Sequence, residues 1–349
     1  MKKFLAILLT AMMVLTLAAC GNNETPVTPS ADASYKTGLG IVVGLTETEA
    51  DEETPAKTQA DVTFCEATFD QDGKIVEISI DVAQCKADYN ADGTVSVADE
   101  VKTKRELGYD YNMKKYAPET VGEWFEQAAA FEAYCVGKTA AEVAAMPLGT
   151  NSHNYEGTPA DADLMASCTI KVTDFIAALG KAYTNAANEN TTYAVSGLGM
   201  IAKVTGTDAA DEDPAASESD VTACAVALDA DGKIVAISFD VAQCKADAAE
   251  GVPAFKAAAS SSKKELGFDY NMKKFAPATV GEWFEQIAAL EAYCIGKTPA
   301  DVLDMPLGTN SVGYDGTPAD ADLMSACTIK VTDFLAALAN ALGHMEIAQ

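Results

Sequence analysis

Apolar and polar positions change character along the chain, and they do so twice in the same order. Residues 62–69 and 75–82 are rich in β-branched and aromatic side chains and flank Asp70-Gln71-Asp72-Gly73. Two such runs around an Asp-Gly turn predict a β-hairpin. An earlier strand is expected to begin near Tyr35 and run through Gly38-Leu39-Gly40. Its counterpart begins near Tyr193 and runs through Gly197-Leu198-Gly199. Acidic stretches at 47–55 and 207–219 read as the loops that follow. Helical spacing then takes over. Trp124, Ala128, Phe131 and Cys135 fall on one helical face, as do Val172, Phe175, Ile176 and Leu179, matched by Val331, Phe334, Leu335 and Leu338. Strands first and helices later predict an α+β fold, a mostly antiparallel sheet with helices packed on it.

The two passes are a tandem duplication. Shifted by 159 residues the chain falls on itself, and residues 107–139 match 266–298 at 27 of 33 positions. Two homologous domains are therefore expected, at 35–183 and 193–343. The polar, unpatterned stretch 184–192 reads as their linker and 344–349 as a tail.

Lys2 and Lys3 precede an apolar run that closes in Leu17-Ala18-Ala19-Cys20. A basic start, a short apolar stretch and small residues make a secretory signal over 1–19. Leu-Ala-Ala-Cys resembles a bacterial lipobox, which implies cleavage before Cys20 and diacylglycerol on its thiol. Residues 20–34, with Pro26 and Pro29, then form a tether. The expected location is the extracytoplasmic face of the cell membrane, held there by lipid.

The formal charge of −28 argues against nucleic acid as a partner. Nine cysteines divide into Cys20 and four per repeat: Cys65, Cys85, Cys135 and Cys168, then Cys224, Cys244, Cys294 and Cys327. An even number per exported domain is compatible with two disulfides in each, in any of three connectivities, or with reduced buried thiols. The only histidines, His153 and His344, have no counterparts across the repeat, so no histidine-based triad is available twice. Asp88, Asn90, Asp92, Ser96 and Asp99, with Gly93, have the spacing of a calcium-binding loop. The second repeat lacks that ligand set, and Asp92-Gly93 could equally be a hairpin turn.

One short motif occurs in both repeats: Asp163-Leu164-Met165-Ala166-Ser167-Cys168-Thr169 and Asp322-Leu323-Met324-Ser325-Ala326-Cys327-Thr328. Each has an acid, a threonine six residues later, and small residues between. Each threonine is expected to open the amphipathic helix that follows, where unpaired N–H groups and the helix dipole suit a phosphate. The bland alternative is that each is an ordinary N-cap. The motif resembles that of the FMN-binding domain family, roughly Asp-x-x-Ser/Thr-Gly/Ala/Ser-Ala-Thr, in which a flavin transferase esterifies FMN to the final threonine. The family includes flavin subunits of the sodium-pumping NADH:quinone reductase and Rnf complexes, and extracellular electron-transfer lipoproteins. The opening Tyr35-Lys36-Thr37-Gly38-Leu39-Gly40 and the Asp-Gly-Lys-Ile hairpin are similar too.

The resemblance implies one covalent FMN on each of Thr169 and Thr328, with Asp163 and Asp322 orienting the motif or serving the transferase. Ser167, Cys168, Ala326 and Cys327 would lie beside the cofactor. Cys168 and Cys327 stand where the family has alanine. The implied partners are a flavin transferase and a membrane electron donor, and the implied role is an electron carrier rather than a substrate-transforming enzyme. Two rivals remain: a cofactor-free surface lipoprotein that binds a small molecule or partner, and a calcium-stiffened structural protein.

Overall fold

A computed structural model describes residues 34–256, 261–276 and 279–347. The predicted signal, Cys20 and the tether up to residue 33 lie outside them. Among the described residues no helix is long and apolar enough to cross a membrane.

The first repeat opens with three long strands, β1 (Tyr35–Thr48), β2 (Ala56–Phe69) and β3 (Ile75–Tyr89), and a short β4 (Val95–Val97). Four helices follow: α1 (Lys104–Leu107), α2 (Met113–Tyr116), α3 (Trp124–Cys135) and α4 (Ala140–Ala144). A small hairpin, β5 (Leu148–Thr150) and β6 (Glu156–Pro159), leads through α5 (Ala162–Met165) to the long α6 (Thr173–Asn185) and β7 (Ala187–Asn190). The second repeat has β8 (Tyr193–Thr207), β9 (Ala215–Asp229), β10 (Ile234–Ala249) and β11 (Val252–Phe255). It continues with α7 (Lys263–Leu266), α8 (Met272–Phe275), α9 (Trp283–Cys294) and α10 (Pro299–Leu303). It closes with β12 (Leu307–Thr309), β13 (Asp315–Pro318), α11 (Ala321–Met324) and α12 (Thr332–Ile347). The fold is α+β, two similar halves of antiparallel sheet plus helices.

The predicted hairpin is present. Asp70 and Gly73 close its turn, Gly73 at φ +75°, and the Asp70 carboxylate accepts from the N–H groups of Asp72 and Lys74. Its strands run well beyond the expected 62–69 and 75–82, because small and polar residues at their far ends still pair backbone to backbone. In the second repeat the acidic loop is shorter than expected, since β9 has begun by Ala215.

The sheets run in the orders β4-β3-β2-β1-β7 and β11-β10-β9-β8. They pack face to face. Leu39, Ile41, Val62 and Phe64 share one core with Leu198, Met200, Val221 and Ala223. The outer faces carry the helices: Phe131, Phe175 and Leu179 on the first sheet, Leu290, Phe334 and Leu338 on the second. The result is four layers, helix–sheet–sheet–helix, and the two repeats share a buried interface.

The Gly-x-Gly of each opening strand has a packing role here. A Cβ built on Gly40 would stand 1.9 Å from the Ala178 carbonyl oxygen of α6, and one on Gly199 would stand 2.0 Å from that of Ala337 in α12. Helix backbone lies directly on strand backbone, which only glycine permits.

The expected linker 184–192 is mostly ordered structure. Thr184 and Asn185 finish α6, and β7 adds to the edge of the first sheet, antiparallel to β1. Polar side chains do not prevent this, because an edge strand is held by its backbone. The expected tail also changes, since α12 continues to Ile347.

Candidate functional site

The two motif threonines are held identically, by a residue that sequence reasoning passed over. Helix α3 presents Trp124, Ala128, Phe131 and Cys135 to the core, and Gln127 is buried on the same face. A buried amide needs partners for both its ends. Its Oε1 accepts from the Thr169 N–H at 2.8 Å and the Thr169 hydroxyl at 3.1 Å. Its Nε2 donates to Thr120 Oγ1 and to the Gly122 carbonyl, both at 2.8 Å. Asn151 Nδ2 donates to the Thr169 carbonyl at 3.1 Å. In the second repeat Gln286 takes the same bonds from Thr328 at 2.9 and 3.1 Å, and Asn310 donates to the Thr328 carbonyl at 3.0 Å. One available signal was a glutamine amid apolar helical positions in both copies of Gly-Glu-Trp-Phe-Glu-Gln.

Neither threonine opens a helix. Thr169 and Thr328 lie four residues before Thr173 and Thr332, where α6 and α12 begin. The intervening turn is tied to the β5–β6 hairpin, with the Val172 N–H donating to the Gly157 carbonyl at 2.9 Å. Gly157 has φ +81° and a Cβ there would meet Thr173 at 2.5 Å, so glycine lets hairpin and helix start touch. The N-cap of α6, Val172, supplies no side-chain bond to the first helical N–H groups.

Thr169 borders an open cleft of about 620 Å³. Trp124, Phe175, Val82 and Ile170 give it apolar wall, and Lys104, Lys171, Asp61, Glu119 and Asp174 give it charge. Lys104 Nζ stands 5.1 Å from the Tyr111 ring centre and 5.3 Å from that of Trp124. Burial lowers its pKa, while the carboxylates of Asp61, Asp81 and Asp174 act the other way. Lys263 stands over Tyr270 and Trp283 in the same fashion, at 5.2 and 5.8 Å.

The remaining motif residues divide between surface and core. Asp163 is exposed in the first turn of α5, and among the described residues its carboxylate makes no hydrogen bond or ion pair. The acid that shapes this turn is Asp161, whose Oδ1 accepts from the Asp163 and Leu164 N–H groups at 3.0 and 3.4 Å. Asp320 does the same beside Asp322. Gln127 and Asn151 thus hold Thr169, and Asp163 makes no hydrogen bond to it. Ser167 and Ala326 are exposed, with N–H groups bonded back to Leu164 and Leu323.

Cys168 and Cys327 are buried in the cores. Burial pushes each thiol up to about 11, and the nearby backbone N–H of Ile170 or Ile329 acts the other way. The cysteine thus packs the turn that carries the threonine against the core. All eight cysteines of the described residues are free and buried.

The residues of the expected calcium loop lie in a hairpin and bond to protein groups. Residues 88–99 hold the hairpin between β3 and β4, closed by Asn90 and Thr94 backbone bonds. Asp88 pairs with Lys57 at 3.3 Å, Asp92 accepts from Thr94, and Asn90 donates to Thr94 and Ser96. Their polar groups are turned to separate partners, and no cluster of three or more His, Cys, Asp or Glu able to hold a metal occurs among the described residues. Asp-Gly serves both kinds of turn, which is why the sequence left the choice open.

In comparisons with known proteins, no family model, no curated protein and no solved structure matches the chain.

Proposed function

We propose that this chain is a lipid-anchored, extracytoplasmic electron carrier with one FMN esterified to each of Thr169 and Thr328. The observation that carries the reading is the repeated placement of a half-buried threonine, pinned by a buried glutamine, in a motif resembling the flavin-attachment motif. In the first repeat that threonine lies on the border of a cleft with aromatic walls, two lysines and three carboxylates.

The residues present fit the group. A cleft of about 620 Å³ is within the usual range of small-molecule and cofactor sites. Trp124 and Phe175 offer apolar wall to a ring system, and Lys104 and Lys171 offset phosphate charge. The uncapped start of α6 adds a partial positive charge close by, since Asp174 and Phe175 border the cleft. When bound, the flavin supplies the electron-transfer chemistry. The chain's own residues position it. Esterification removes the hydroxyl proton that Thr169 gives to Gln127, but leaves the Thr169 N–H bond that holds the residue in place.

A second reading has one observation in its favour: among the described residues the Asp163 and Asp322 carboxylates make no hydrogen bond to their threonines. On that reading the clefts bind a small molecule reversibly and carry no covalent flavin. Coexpression with a secreted flavin transferase, followed by in-gel flavin fluorescence under denaturing conditions, separates the two. The first reading predicts fluorescence that halves in Thr169→Ala and in Thr328→Ala and vanishes in the double variant. A dark band from wild type, beside a bright control substrate, supports the second.

A further inference from the structure

Where the repeats meet, the first contributes a polar cluster that the second lacks. Glu66 on β2 is fully buried, and its Oε2 has no hydrogen-bond partner among the described residues. Its Oε1 lies 3.1 Å from the Thr68 hydroxyl, which lies 2.7 Å from that of Thr37 and 3.1 Å from that of Ser196 in the second repeat. Ser196 donates to Glu77 Oε2, from its hydroxyl at 3.2 Å and its N–H at 2.9 Å, and the Tyr193 hydroxyl donates to the same oxygen. The repeat counterparts of Glu66, Thr68 and Glu77 are Ala225, Ala227 and Ala236, all buried. The duplicated fold therefore does not need these polar groups.

Counting protons places one on Glu66. Glu66–Thr68, Thr68–Ser196 and Ser196–Glu77 are three bonds in a row, and the hydroxyls between the carboxyls supply two protons. The third comes from a carboxyl. Glu77 Oε2 already accepts from Tyr193 and from the Ser196 N–H, which favours its ionised form. Glu66 has no such donors and lies out of water, which favours its neutral form. With the proton on Glu66, the chain runs in one direction from Glu66 through Thr68 and Ser196 to Glu77.

We propose that Glu66 is a proton-binding site at the repeat interface: it keeps its proton while the sheets are packed together and releases it to water when they part, so rising pH favours parting. Burial and the neighbouring Glu77 raise its pKa well above the usual carboxylate range, Ser196 and Thr68 oppose this, and Glu132 adds to it. Cys65 on its own strand and Tyr193 on β8 are the other titratable groups beside it, and Arg105 is paired with Glu132. Glu77 and Ser196 line an open cleft of about 730 Å³ between the repeats, which gives the proton a route to solvent. The inference does not rest on flavin at either threonine.

The test uses the unmodified chain, Gly21 onward, with carbon-13 in the glutamate side-chain carboxyls. Glu66→Gln and Glu77→Gln assign the two resonances. At pH 7 Glu66 should resonate as the acid and Glu77 as the carboxylate. Tyr193→Phe leaves Glu66 in place but takes a donor from Glu77, and should move the Glu77 resonance toward the acid position. Parting is read by thiol labelling of Cys85 and Cys244, which lie in the core between the sheets. One proton released per parting event makes the ratio of wild-type to Glu66→Gln labelling rates grow by up to about tenfold per pH unit above the ordinary glutamate range. Glu66 ionised at pH 7, as it would be beside a bound cation, overturns the inference. So does a Glu77 resonance that ignores Tyr193→Phe, or a labelling ratio that stays constant with pH.

Discussion

Replacing Gln127 with leucine isolates the bond set that places Thr169. The two side chains are close in size, so little cavity is created and the loss is polar. Two bonds into Oε1 disappear, from the Thr169 N–H and hydroxyl, with those from Nε2 to Thr120 and the Gly122 carbonyl and its weaker contact with Met113 Sδ. The hydroxyls can turn toward water, but the Thr169 N–H and the Gly122 carbonyl beside a new apolar side chain cannot easily do so. An unsatisfied buried group costs about 1–3 kcal/mol, so the pair predicts a loss of about 2–6 kcal/mol. With a urea slope of about 3 kcal/mol/M, the unfolding midpoint should fall by roughly 0.7–2 M. Gln286→Leu should cost the same, since its bonds match within 0.1 Å. Urea unfolding gives the midpoint, and amide exchange at Thr169 shows whether the loss is local. A midpoint shift under about 0.3 M, with Thr169 still protected, would refute the claim that Gln127 holds the threonine.

Three further predictions concern the scaffold. Gly40→Ala or Gly199→Ala should lower stability by about 3 kcal/mol or more, at the upper end of overpacking costs, because backbone must move; Gly44→Ala, whose nearest neighbour is at 3.8 Å, should be near neutral by thermal melting. Buried carboxylates should make the protein more stable at pH 5 than at pH 8. Burial raises Asp240 to about 6 and also raises Glu66, Asp81 and Glu132. A carboxyl with a raised folded pKa takes up its proton before the unfolded chain does, so stability rises as pH falls through the folded value and levels off near the unfolded one. Urea midpoints that fall steadily from pH 8 to 5 would contradict this, and Glu66→Gln should flatten the trend. Finally, the eight described cysteines should resist a thiol reagent in the native state and react on unfolding, because all are buried and burial raises their thiols. Rapid native labelling of Cys168 or Cys327 would place those turns elsewhere.

Periodicity made the elements legible but not their assembly. The Asp70–Gly73 turn and the faces of α3 and α6 follow from spacing that any exposed or core position must obey. The face-to-face sheets were hidden because β2 is buried on both sides along its second half, which erases the alternation that marks a sheet face. Small residues such as Ala223 and Ala225 form much of that interface and carry little signal. The threonine's place was misread by one turn because Cys168 and Thr169 belong to a loop fixed by Gln127, Asn151 and Gly157, all distant in sequence. The motif therefore pointed to the right residues without giving the interactions that hold them.

The central claim is that both threonines carry flavin, and intact mass tests it most directly. The chain from Gly21 onward should be coexpressed with a secreted flavin transferase shown to modify a control substrate, and weighed beside Thr169→Ala and Thr328→Ala. The account predicts two FMN additions on wild type and one on each variant, with tryptic peptides placing them on the two threonines. An unmodified wild-type mass, or additions that persist when both threonines are replaced, would contradict it.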